Sequence, residues 1–373
     1  MSKIKVMSVF GTRPEAIKMC PLVLELQKNE NIESIVCLTG QHRQMLDQVM
    51  DVFGVKADYD LNIMRPQQTL TTITTDVLTN MEGVLKECRP DIVLVHGDTT
   101  TSTAAALSAF YQQIPVGHVE AGLRTFNIYS PYPEEMNRMI TGRIATFHFS
   151  PTVKNEENLR REGVKKNIYV TGNTVIDAFK TTVKKDFEFT TPELKNITDS
   201  EERLILLTAH RRENLGKPLE NICRAVKRLT EDFADVRFVY PVHLNPKVRN
   251  TVFDILGNTD RVTLIDPIDV EEMHNLMAKS YLVMTDSGGL QEEAPSCGVP
   301  VLVLRTETER PEAVWAGTVK VVGVEEDDIY KEALKLLTDK VAYDEMAHAV
   351  NPYGDGHASE RIVAAIIENL ENK

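Results

Sequence analysis

The sequence predicts an α/β protein built from two Rossmann-like, doubly wound parallel-sheet domains. Short, nearly continuous runs of β-branched and other apolar residues alternate with amphipathic stretches along the chain, as in parallel strands buried on both faces. A chain of 373 residues is too long for a single ordinary domain with one hydrophobic core, so two domains are expected. Residues 181–202 are polar and rich in turn-forming residues, and they separate the pattern into two series.

Each series contains six predicted strands. Those of the first are 4–10, 32–38, 91–96, 115–119, 145–150 and 167–171, and those of the second are 203–208, 236–240, 262–265, 281–285, 300–304 and 318–322. Helical patterns separate them, in the first series at 14–28, 42–53, 69–88, 101–112, 133–142 and 152–162. This alternation is typical of βαβ units.

The first predicted domain spans 1–173 and the second 174–357. The last segment, 358–373, has the pattern of one amphipathic helix, which packs either on the second domain or back on the first. In open α/β sheets, ligands bind beyond the carboxyl ends of the strands. With two such domains, we expect them to face a central cleft that holds the site.

Composition limits the classes of function. The chain is 42% hydrophobic and 26% charged, with a net charge of −13, which is typical of soluble globular proteins and argues against non-specific nucleic-acid binding. Five scattered cysteines without a CxxC pair predict free thiols rather than disulfides or zinc ligands. The start lacks a signal-peptide pattern, and no apolar run approaches the ~20 residues that span a membrane. These features predict a cytoplasmic protein.

Acids, bases and anion-binding groups follow six of the predicted strands. Cations, carboxylates and histidines at these ends are Arg13, Lys18, Asp98, Glu120, Glu134, Arg138, His210, Arg211 and His243. Because the carboxyl ends of parallel strands lie at one edge of a sheet, such a concentration predicts a functional site. Glu15, in the first of these segments, is expected to stabilise a helix N-terminus rather than to take part in catalysis.

The segment "TDSGGLQEEAP" has the clearest physical interpretation. Ser287, Gly288 and Gly289 begin a predicted helix, and the unpaired N–H groups at such an end bind phosphate. The alternative is that Ser287 is an ordinary N-cap before a plain turn, but the cations at the other strand ends favour phosphate. Glu293, further along that helix, either accepts hydrogen bonds from ribose hydroxyls or is a solvated surface carboxylate.

Three carboxylates in the first half are candidates for general acid–base catalysis. Asp98 and Glu134 have an alternative interpretation as helix N-terminal residues, and Glu134 and Arg138 are also spaced as a helix-surface ion pair. Glu120 ends a strand before Ala-Gly, so neither alternative applies to it. Taken together, the three favour a catalytic function.

Other sites have little support. The sequence contains no G-x-G-x-x-G, no P-loop and no H-E-x-x-H pattern, which argues against nicotinamide, kinase and metal chemistry. His210 and His243 follow strand ends and are candidates for binding. His96, His118 and His148 lie within apolar runs and are expected to be core or strand-end histidines.

Seven motifs together resemble those of the bacterial non-hydrolysing UDP-N-acetylglucosamine 2-epimerases. They are "FGTRPEAIKMCPL", "HGDTTT", "VGHVEAGLRT", "SPYPEEMNR", "TGNTVIDA", "TAHRREN" and "TDSGGLQEEAP", in this order along nearly the whole chain. The resemblance implies a glycosyltransferase-B type fold and a homodimer. It also implies reversible conversion of UDP-GlcNAc to UDP-ManNAc through 2-acetamidoglucal and UDP, without nicotinamide or metal, in the supply of ManNAc for cell-surface polysaccharide.

The resemblance also implies roles for individual residues. Asp98, Glu120 and Glu134 are the acid–base candidates, without an assignment to either face of C2, and His210 joins them at the diphosphate. The implied substrate contacts are Arg13, Lys18, Arg138, Ser287, Gly288, Gly289 and Glu293. A second UDP-GlcNAc, bound as an allosteric activator, is expected at Gln41, Gln44, Arg211 and His243. Where some relatives have an arginine in that site, either Arg65 or Gln67 of "MRPQQTL" takes the place.

Three other functions are compatible with parts of this pattern. A UDP-sugar glycosyltransferase of the same fold needs an acceptor and leaves the C2 hydrogen unexchanged. A hydrolysing epimerase releases free ManNAc and UDP. A non-catalytic nucleotide-sugar sensor binds without turnover, and the set of carboxylates argues against it.

Overall fold

The structure is a computed structural model that describes residues 3–40, 43–65, 67–195, 197 and 201–370, without the side chains of 43–45. The chain divides into two compact units, with boundaries after Thr181 and after Pro352, so that the last segment of the chain belongs to the first unit. None of the helices in these described ranges is both long and apolar enough to span a bilayer.

The first unit contains a parallel sheet of seven strands. They are β1 (Ile4–Phe10), β2 (Ile32–Leu38), β3 (Tyr59–Asp60), β4 (Ile92–His96), β5 (Val116–Val119), β6 (Phe147–Ser150) and β7 (Ile168–Val170). Their order across the sheet is β3-β2-β1-β4-β5-β6-β7. The central strand β4 is buried along its whole length, as expected for a strand covered by helices on both faces.

Helices connect these strands. They are α1 (Arg13–Gln27), α2 (Arg43–Phe53), α3 (Leu70–Cys88), α4 (Thr100–Tyr111), α5 (Glu134–Ile144), α6 (Val153–Arg161) and α7 (Thr174–Thr182). The C-terminal helix of the described chain lies in this unit as well and contacts α1. Asp177 on α7 accepts hydrogen bonds from the backbone N–H groups of Ala358 and Ser359, which fixes the start of that helix.

The second unit contains a parallel sheet of six strands. They are β8 (Arg203–Thr208), β9 (Val236–Pro241), β10 (Val262–Ile265), β11 (Leu282–Thr285), β12 (Val301–Val303) and β13 (Val319–Val321), in the order β10-β9-β8-β11-β12-β13. The helices are α8 (Lys217–Asp232), α9 (Pro246–Leu256), α10 (Val270–Ala278), α11 (Gly288–Glu293), α12 (Pro311–Ala316), α13 (Glu326–Thr338) and α14 (Lys340–Ala347), followed by α15 (Ala358–Leu370) of the first unit.

Two parallel-sheet α/β units confirm the predicted fold class. Each of the twelve predicted strands is present within two residues of its expected bounds, and β3 is an additional strand that the sequence analysis missed. It is only two residues long and has no apolar run, so no periodicity marks it. The boundary predicted between 173 and 174 lies one helix before the boundary between the compact units, because α7 belongs with the first unit.

Each sheet has one position where the chain reverses its direction of winding. In the first sheet this topological switch lies between β1 and β4, and in the second between β8 and β11. Loops that leave two neighbouring strands at a switch point in opposite directions leave room for a ligand. The segments singled out in the sequence around Gly11, Asp98, His210 and Ser287 follow these four strands.

Candidate functional site

Three side chains meet at the carboxyl ends of β4 and β5. Lys18 on α1 donates a hydrogen bond from Nζ to Glu120 Oε2, and His96 Nε2 lies 2.9 Å from the same oxygen. His96 ends β4 and is in register with Val119 of β5, which places it beside Glu120. The parallel pairing of two strands thus brings together residues that are far apart in sequence.

Glu120 has an unusual backbone conformation, and it is ionised although it is buried. Its φ of +64° lies in the left-handed region, which costs a non-glycine residue on the order of 1–3 kcal/mol and is often found at functional sites. Burial raises the pKa of Glu120, but the Lys18 ammonium and the His96 ring outweigh burial and hold this pKa well below its ordinary value. At neutral pH, Glu120 is therefore a buried carboxylate in the proton-accepting form.

A second ion-pair network contains Asp98 and Arg138. The Arg138 guanidinium contacts Asp98 Oδ2 from Nε at 2.9 Å and from Nη2 at 2.6 Å, and its Nη1 donates to Glu135 Oε2 at 3.0 Å. The buried Glu135 also accepts hydrogen bonds at Oε1 from the backbone N–H groups of Thr125 and Phe126. Glu135 therefore fixes both Arg138 and the loop before α5.

Two further predicted site residues, Glu134 and Arg13, do not belong to these two networks. Glu134 begins α5, and its Oε2 is buried without a hydrogen-bond partner among the described residues. The interpretation of Glu134 and Arg138 as a surface pair is wrong, because Arg138 pairs with Asp98 and Glu135. Arg13 is half-buried at the first position of α1 and forms no ion pair within the described part of the chain. Both side chains remain available to a ligand.

The buried carboxylate of Glu15 connects the loops on the two sides of the first switch point. Its Oε2 accepts from the N–H groups of Gly11 and Thr12 and from the Thr12 hydroxyl, while Oε1 accepts from the hydroxyls of Thr99 and Ser102. Thr12 and Glu15 also form the capping box of α1. The expected stabilising role of Glu15 at a helix N-terminus is confirmed.

Gly11 is required by a close approach of two strand ends. A Cβ atom at this position would lie 1.6 Å from Thr39 Oγ1, far inside van der Waals contact. The glycine therefore lets the loop after β1 pass beside the end of β2, and it places the start of α1.

In the second unit, α11 begins at Gly288 as the sequence predicts. Ser287 is its N-cap residue, but the Ser287 side chain makes no capping hydrogen bond. The guanidinium nitrogens Nη2 of Arg211 and Arg310 lie 3.6 and 3.9 Å from the point where a Gly288 Cβ would be. These two cations also pair with Glu309 and Glu292, and they lie next to small residues and a helix start, which together form a suitable place for an anion.

Asp286 orders the loop after β8. This fully buried carboxylate accepts hydrogen bonds at Oδ2 from the backbone N–H groups of His210 and Arg211 and from Asn214 Nδ2. The His210 ring stacks on His243, with centroids 5.2 Å apart and planes at 5°. Burial lowers the pKa of His210, and the neighbouring His243 and Arg211 add to this effect, while Asp286 opposes it. The imidazole is therefore neutral at pH 7.

Glu293 lies at the end of α11. Its Oε1 is 3.0 Å from the point where a Gly289 Cβ would be, and its Oε2 is 3.6 Å from Nε2 of the buried His274. A Cβ at residue 289 would crowd this carboxylate, so the glycine lets Glu293 turn back over the start of the helix. The side chain is largely buried, in contrast to a solvated surface carboxylate.

Several residues of these networks were not among the predicted site residues, and the charged or titratable ones beside the predicted site include His96, Glu135, Asp286 and Arg310. His96 was interpreted as a core or strand-end histidine, although its position directly before Gly97-Asp98 was a usable signal. His118 and His148 fit that interpretation, since burial lowers the pKa of His118 to about 3 and that of His148 to about 4.

The proposed activator residues are only partly described. Gln41 lies outside the described residues, and Gln44 lies on α2 with a side chain that is likewise not described. Arg211 and His243 are described, and both lie beside His210. Within the described ranges, no group of three or more His, Cys, Asp and Glu side chains is arranged to hold a metal ion.

Known proteins are similar in sequence to most of this chain. The sequence profile of the family described as UDP-N-acetylglucosamine 2-epimerase matches residues 24–367. The UDP-N-acetylglucosamine 2-epimerase of Bacillus subtilis is 57% identical over 368 residues, which cover 98% of this chain and 96% of the relative.

Solved structures agree with these sequence matches. The crystal structure of UDP-GlcNAc 2-epimerase from Neisseria meningitidis bound to UDP-GlcNAc has a TM-score of 0.87 and 50% identity, and it covers 98% of this chain and 100% of its own. The glycotransferase of kitacinnamycin, 11% identical with a TM-score of 0.67 over 99% of this chain and 100% of its own, shares the fold alone. The predicted glycosyltransferase-B type is confirmed, and the chain belongs to the UDP-N-acetylglucosamine 2-epimerase family.

Proposed function

We propose that this protein interconverts UDP-GlcNAc and UDP-ManNAc reversibly and without net hydrolysis. The observation that carries the proposal is the contact of Glu120 with Lys18 and His96 at adjacent strand ends, in a chain that belongs to an epimerase family. The Neisseria relative binds UDP-GlcNAc, which supports the same nucleotide sugar as the substrate here. A nicotinamide cofactor or a metal has no role in the proposed reaction.

The proposed reaction is an elimination followed by re-addition. A carboxylate removes the C2 proton while the C1–O bond breaks, the electron pair of that bond leaves with the UDP oxygen, and a C1=C2 double bond forms in 2-acetamidoglucal. UDP then adds again at C1, and a second group delivers a proton to the opposite face of C2. Because a C2 proton is weakly acidic, stabilisation of the leaving diphosphate must contribute to the rate.

The carboxylates of the first unit are suited to the proton transfers. Glu120 is ionised at neutral pH because of Lys18 and His96, and Asp98 is oriented by Arg138. Glu134 has a buried oxygen without a partner among the described residues. We assign the two proton-transfer roles to these three carboxylates and leave open which of them serves which face of C2. Arg13, Lys18 and Arg138 would contact the sugar and the diphosphate.

The second unit would bind UDP. Ser287, Gly288 and Gly289 offer backbone N–H groups beside Arg211 and Arg310, which suits the diphosphate. Glu293 would accept hydrogen bonds from the ribose hydroxyls. His210 is neutral before the reaction; as negative charge develops on the diphosphate, the ring would take up a second proton and donate a hydrogen bond to it.

Incubation of the protein with UDP-GlcNAc alone in D2O, followed by NMR, tests the proposal. We expect UDP-ManNAc to appear with deuterium at C2, and deuterium to enter the C2 position of recovered UDP-GlcNAc. If the hydrogen at C2 does not exchange and turnover requires an acceptor sugar, the protein is a glycosyltransferase. Free ManNAc with UDP as the main products would identify a hydrolysing epimerase, and binding without turnover a sensor.

We also propose that a second UDP-GlcNAc activates the enzyme at Gln41, Gln44, Arg211 and His243. The stacking of His243 on His210 supports this, since it links the proposed activator residue directly to the proposed diphosphate contact. Small additions of UDP-GlcNAc should accelerate the conversion of UDP-ManNAc, and His243→Ala should remove the acceleration. A rate in the wild type that does not depend on added UDP-GlcNAc would contradict activation.

A second copy of the chain is the partner that we propose for α5. Met136, Met139 and Ile140 lie on one exposed face of this helix, as in helices that pack against another subunit. Sedimentation should give a dimer, and Met139→Glu should weaken it; a wild-type monomer at micromolar concentration would contradict this assignment.

We place the enzyme in the cytoplasm, as the source of ManNAc for cell-surface polysaccharide. All five cysteines are free thiols, which suits a reducing compartment. Fractionation of the source cells should recover the activity with the cytoplasmic enzymes. Loss of ManNAc from the surface polymer after deletion of the gene would support the proposed supply of ManNAc for this polysaccharide. An unchanged polymer would contradict it.

A further inference from the structure

The two carboxylate oxygens of Asp286 differ in the hydrogen bonds that they accept. Oδ2 accepts three hydrogen bonds, two of them from the backbone of residues 210 and 211. Oδ1 is buried and has no hydrogen-bond partner among the described residues. A buried carboxylate oxygen without a donor is costly, so a nearby proton donor will be attracted to it.

The imidazole of His210 can present a proton close to this oxygen. Its Nδ1 lies 3.7 Å from Asp286 Oδ1, slightly beyond hydrogen-bond distance. The backbone of His210 is already held by the other oxygen of the same carboxylate. Only a small rotation of the ring is therefore needed to bring Nδ1 into contact with Oδ1.

We propose that Asp286 is a positioning residue for His210, holding the backbone of His210 through Oδ2 and the ring through Oδ1. This inference rests on the proposed role of His210 at the diphosphate. A proton on Nδ1 directed at Oδ1 leaves Nε2 as the nitrogen that faces away from the carboxylate. As negative charge develops on the diphosphate, Nε2 takes up a proton from solvent, and the Asp286 charge stabilises the imidazolium that donates to the diphosphate, as a buried carboxylate does for a catalytic histidine.

The other charged groups around the ring do not stabilise a positive charge on His210. Arg211 and His243 both disfavour a positive charge on His210, as burial does, and Asp286 alone among the interacting groups favours it. Arg305 lies close enough to Asp286 for the carboxylate charge to help raise the pKa of Arg305, so this guanidinium is a further partner of Asp286 and not of the ring. The protonated form of His210 thus depends on Asp286.

Nitrogen NMR of the wild-type chain tests the position of the proton without any substitution. With ¹⁵N-labelled histidine, and with His210→Gln to identify the resonances, we expect neutral His210 to carry its proton on Nδ1. A proton on Nε2 would overturn the proposal. This readout is independent of enzymatic activity, so it remains decisive if the proposed function fails.

The pH titration of the same resonances tests the charge. In Asp286→Asn, one side-chain oxygen remains for the three donors at the Oδ2 position, so the loop can be retained. We expect the pKa of His210 to fall in this variant, because the stabilising charge is gone. An unchanged pKa would overturn the proposal, and Asp254→Asn, on the exposed side of α9, is the control for a lost negative charge.

A double-mutant cycle on kcat then connects the geometry to the reaction. Asp286→Asn should lower kcat roughly tenfold to 100-fold in the wild type, the scale of a misplaced reacting group, and have little effect in His210→Gln. Equal losses in both backgrounds would show that Asp286 acts independently of His210 and would overturn the proposal. Full activity of His210→Gln alone would instead contradict the proposed role of His210.

Discussion

In each unit a buried carboxylate connects the segments on the two sides of the switch point, but the two carboxylates differ in how many of their oxygens accept hydrogen bonds. In the first unit, the Glu15 carboxylate connects the loop after β1 to the start of α4, and both of its oxygens are saturated by hydrogen bonds. In the second, Asp286 connects β11 to the loop after β8, and only one of its oxygens is saturated. The first carboxylate is a structural connection, and the second retains an oxygen that can act on a neighbouring ring.

The charges around the two connections differ as well. In the first unit, Lys18 and Arg138 are paired with the carboxylates of Glu120 and Asp98, and the Lys18 ammonium helps to hold the pKa of Glu120 well below its ordinary value. In the second, Arg211 and Arg310 also pair with carboxylates, but both guanidiniums lie beside the small residues at the start of a helix, α11. This difference favours proton transfer in the first unit and anion binding in the second, and four substitutions test it.

The largest effect is expected at Glu120. Glu120→Gln keeps the shape of the side chain but removes the proton-accepting charge, so kcat should fall roughly 100-fold or more, with UDP affinity unchanged. Steady-state kinetics and calorimetry with UDP measure the two quantities. Glu157→Gln on the exposed face of α6 is the matched control, and near-normal turnover of Glu120→Gln would remove Glu120 from the mechanism.

Lys18→Gln should change the pH dependence of the reaction. Burial raises the pKa of Glu120, and the Lys18 ammonium is the largest influence that lowers it. Without Lys18 this pKa rises, so the acid limb of kcat/KM, normalised to its plateau, should move to higher pH. Lys28→Gln, on an exposed lysine, should leave the limb in place, and a shift of the Lys18→Gln limb to lower pH would show that the sign is wrong.

Arg211→Gln should affect binding more than chemistry. Loss of one guanidinium beside Gly288 should weaken UDP binding by about tenfold, the scale of one charge-assisted contact. Arg212→Gln removes the same charge from the neighbouring, exposed residue and serves as the control. Equal affinities of the two variants for UDP in calorimetry would argue against an anion site at the start of α11.

The smallest effect is expected at Glu15. In Glu15→Gln one oxygen remains for the donors at Oε2, and the hydroxyls of Thr99 and Ser102 can rotate to accept from the new amide. The free energy of unfolding should fall by about 1 kcal/mol, measured by urea denaturation, with kcat unchanged. A loss of kcat comparable to that of Asp286→Asn would erase the distinction between the two carboxylates.

The sequence predicted the strands and the edges of the sheets at which polar residues gather, because both follow from short-range pattern. It did not predict the pairings within those edges. Lys18 and Glu120 are 102 residues apart, and their contact depends on the order of strands across the sheet and on the rotation of α1. His96 was undervalued for the same reason, since its neighbour across the sheet was not known.

Buried connecting residues were the hardest to identify. Asp286 and Glu135 lie beside predicted site residues, but their functions depend on backbone N–H groups that the sequence does not locate. Glu15 was assigned to a helix start from its position in the sequence alone, and the structure adds its capping box with Thr12. Its bonds to Thr99 and Ser102 required the fold.

The division of function between the units has one direct test. The combined variant Asp98→Asn, Glu120→Gln, Glu134→Gln is incubated with saturating UDP-GlcNAc in D2O, and deuterium at C2 is followed by NMR, with UDP affinity as the check on folding. We predict no incorporation beyond the enzyme-free control, together with a wild-type affinity for UDP. Deuterium that enters C2 at a rate near that of the wild type would contradict the account.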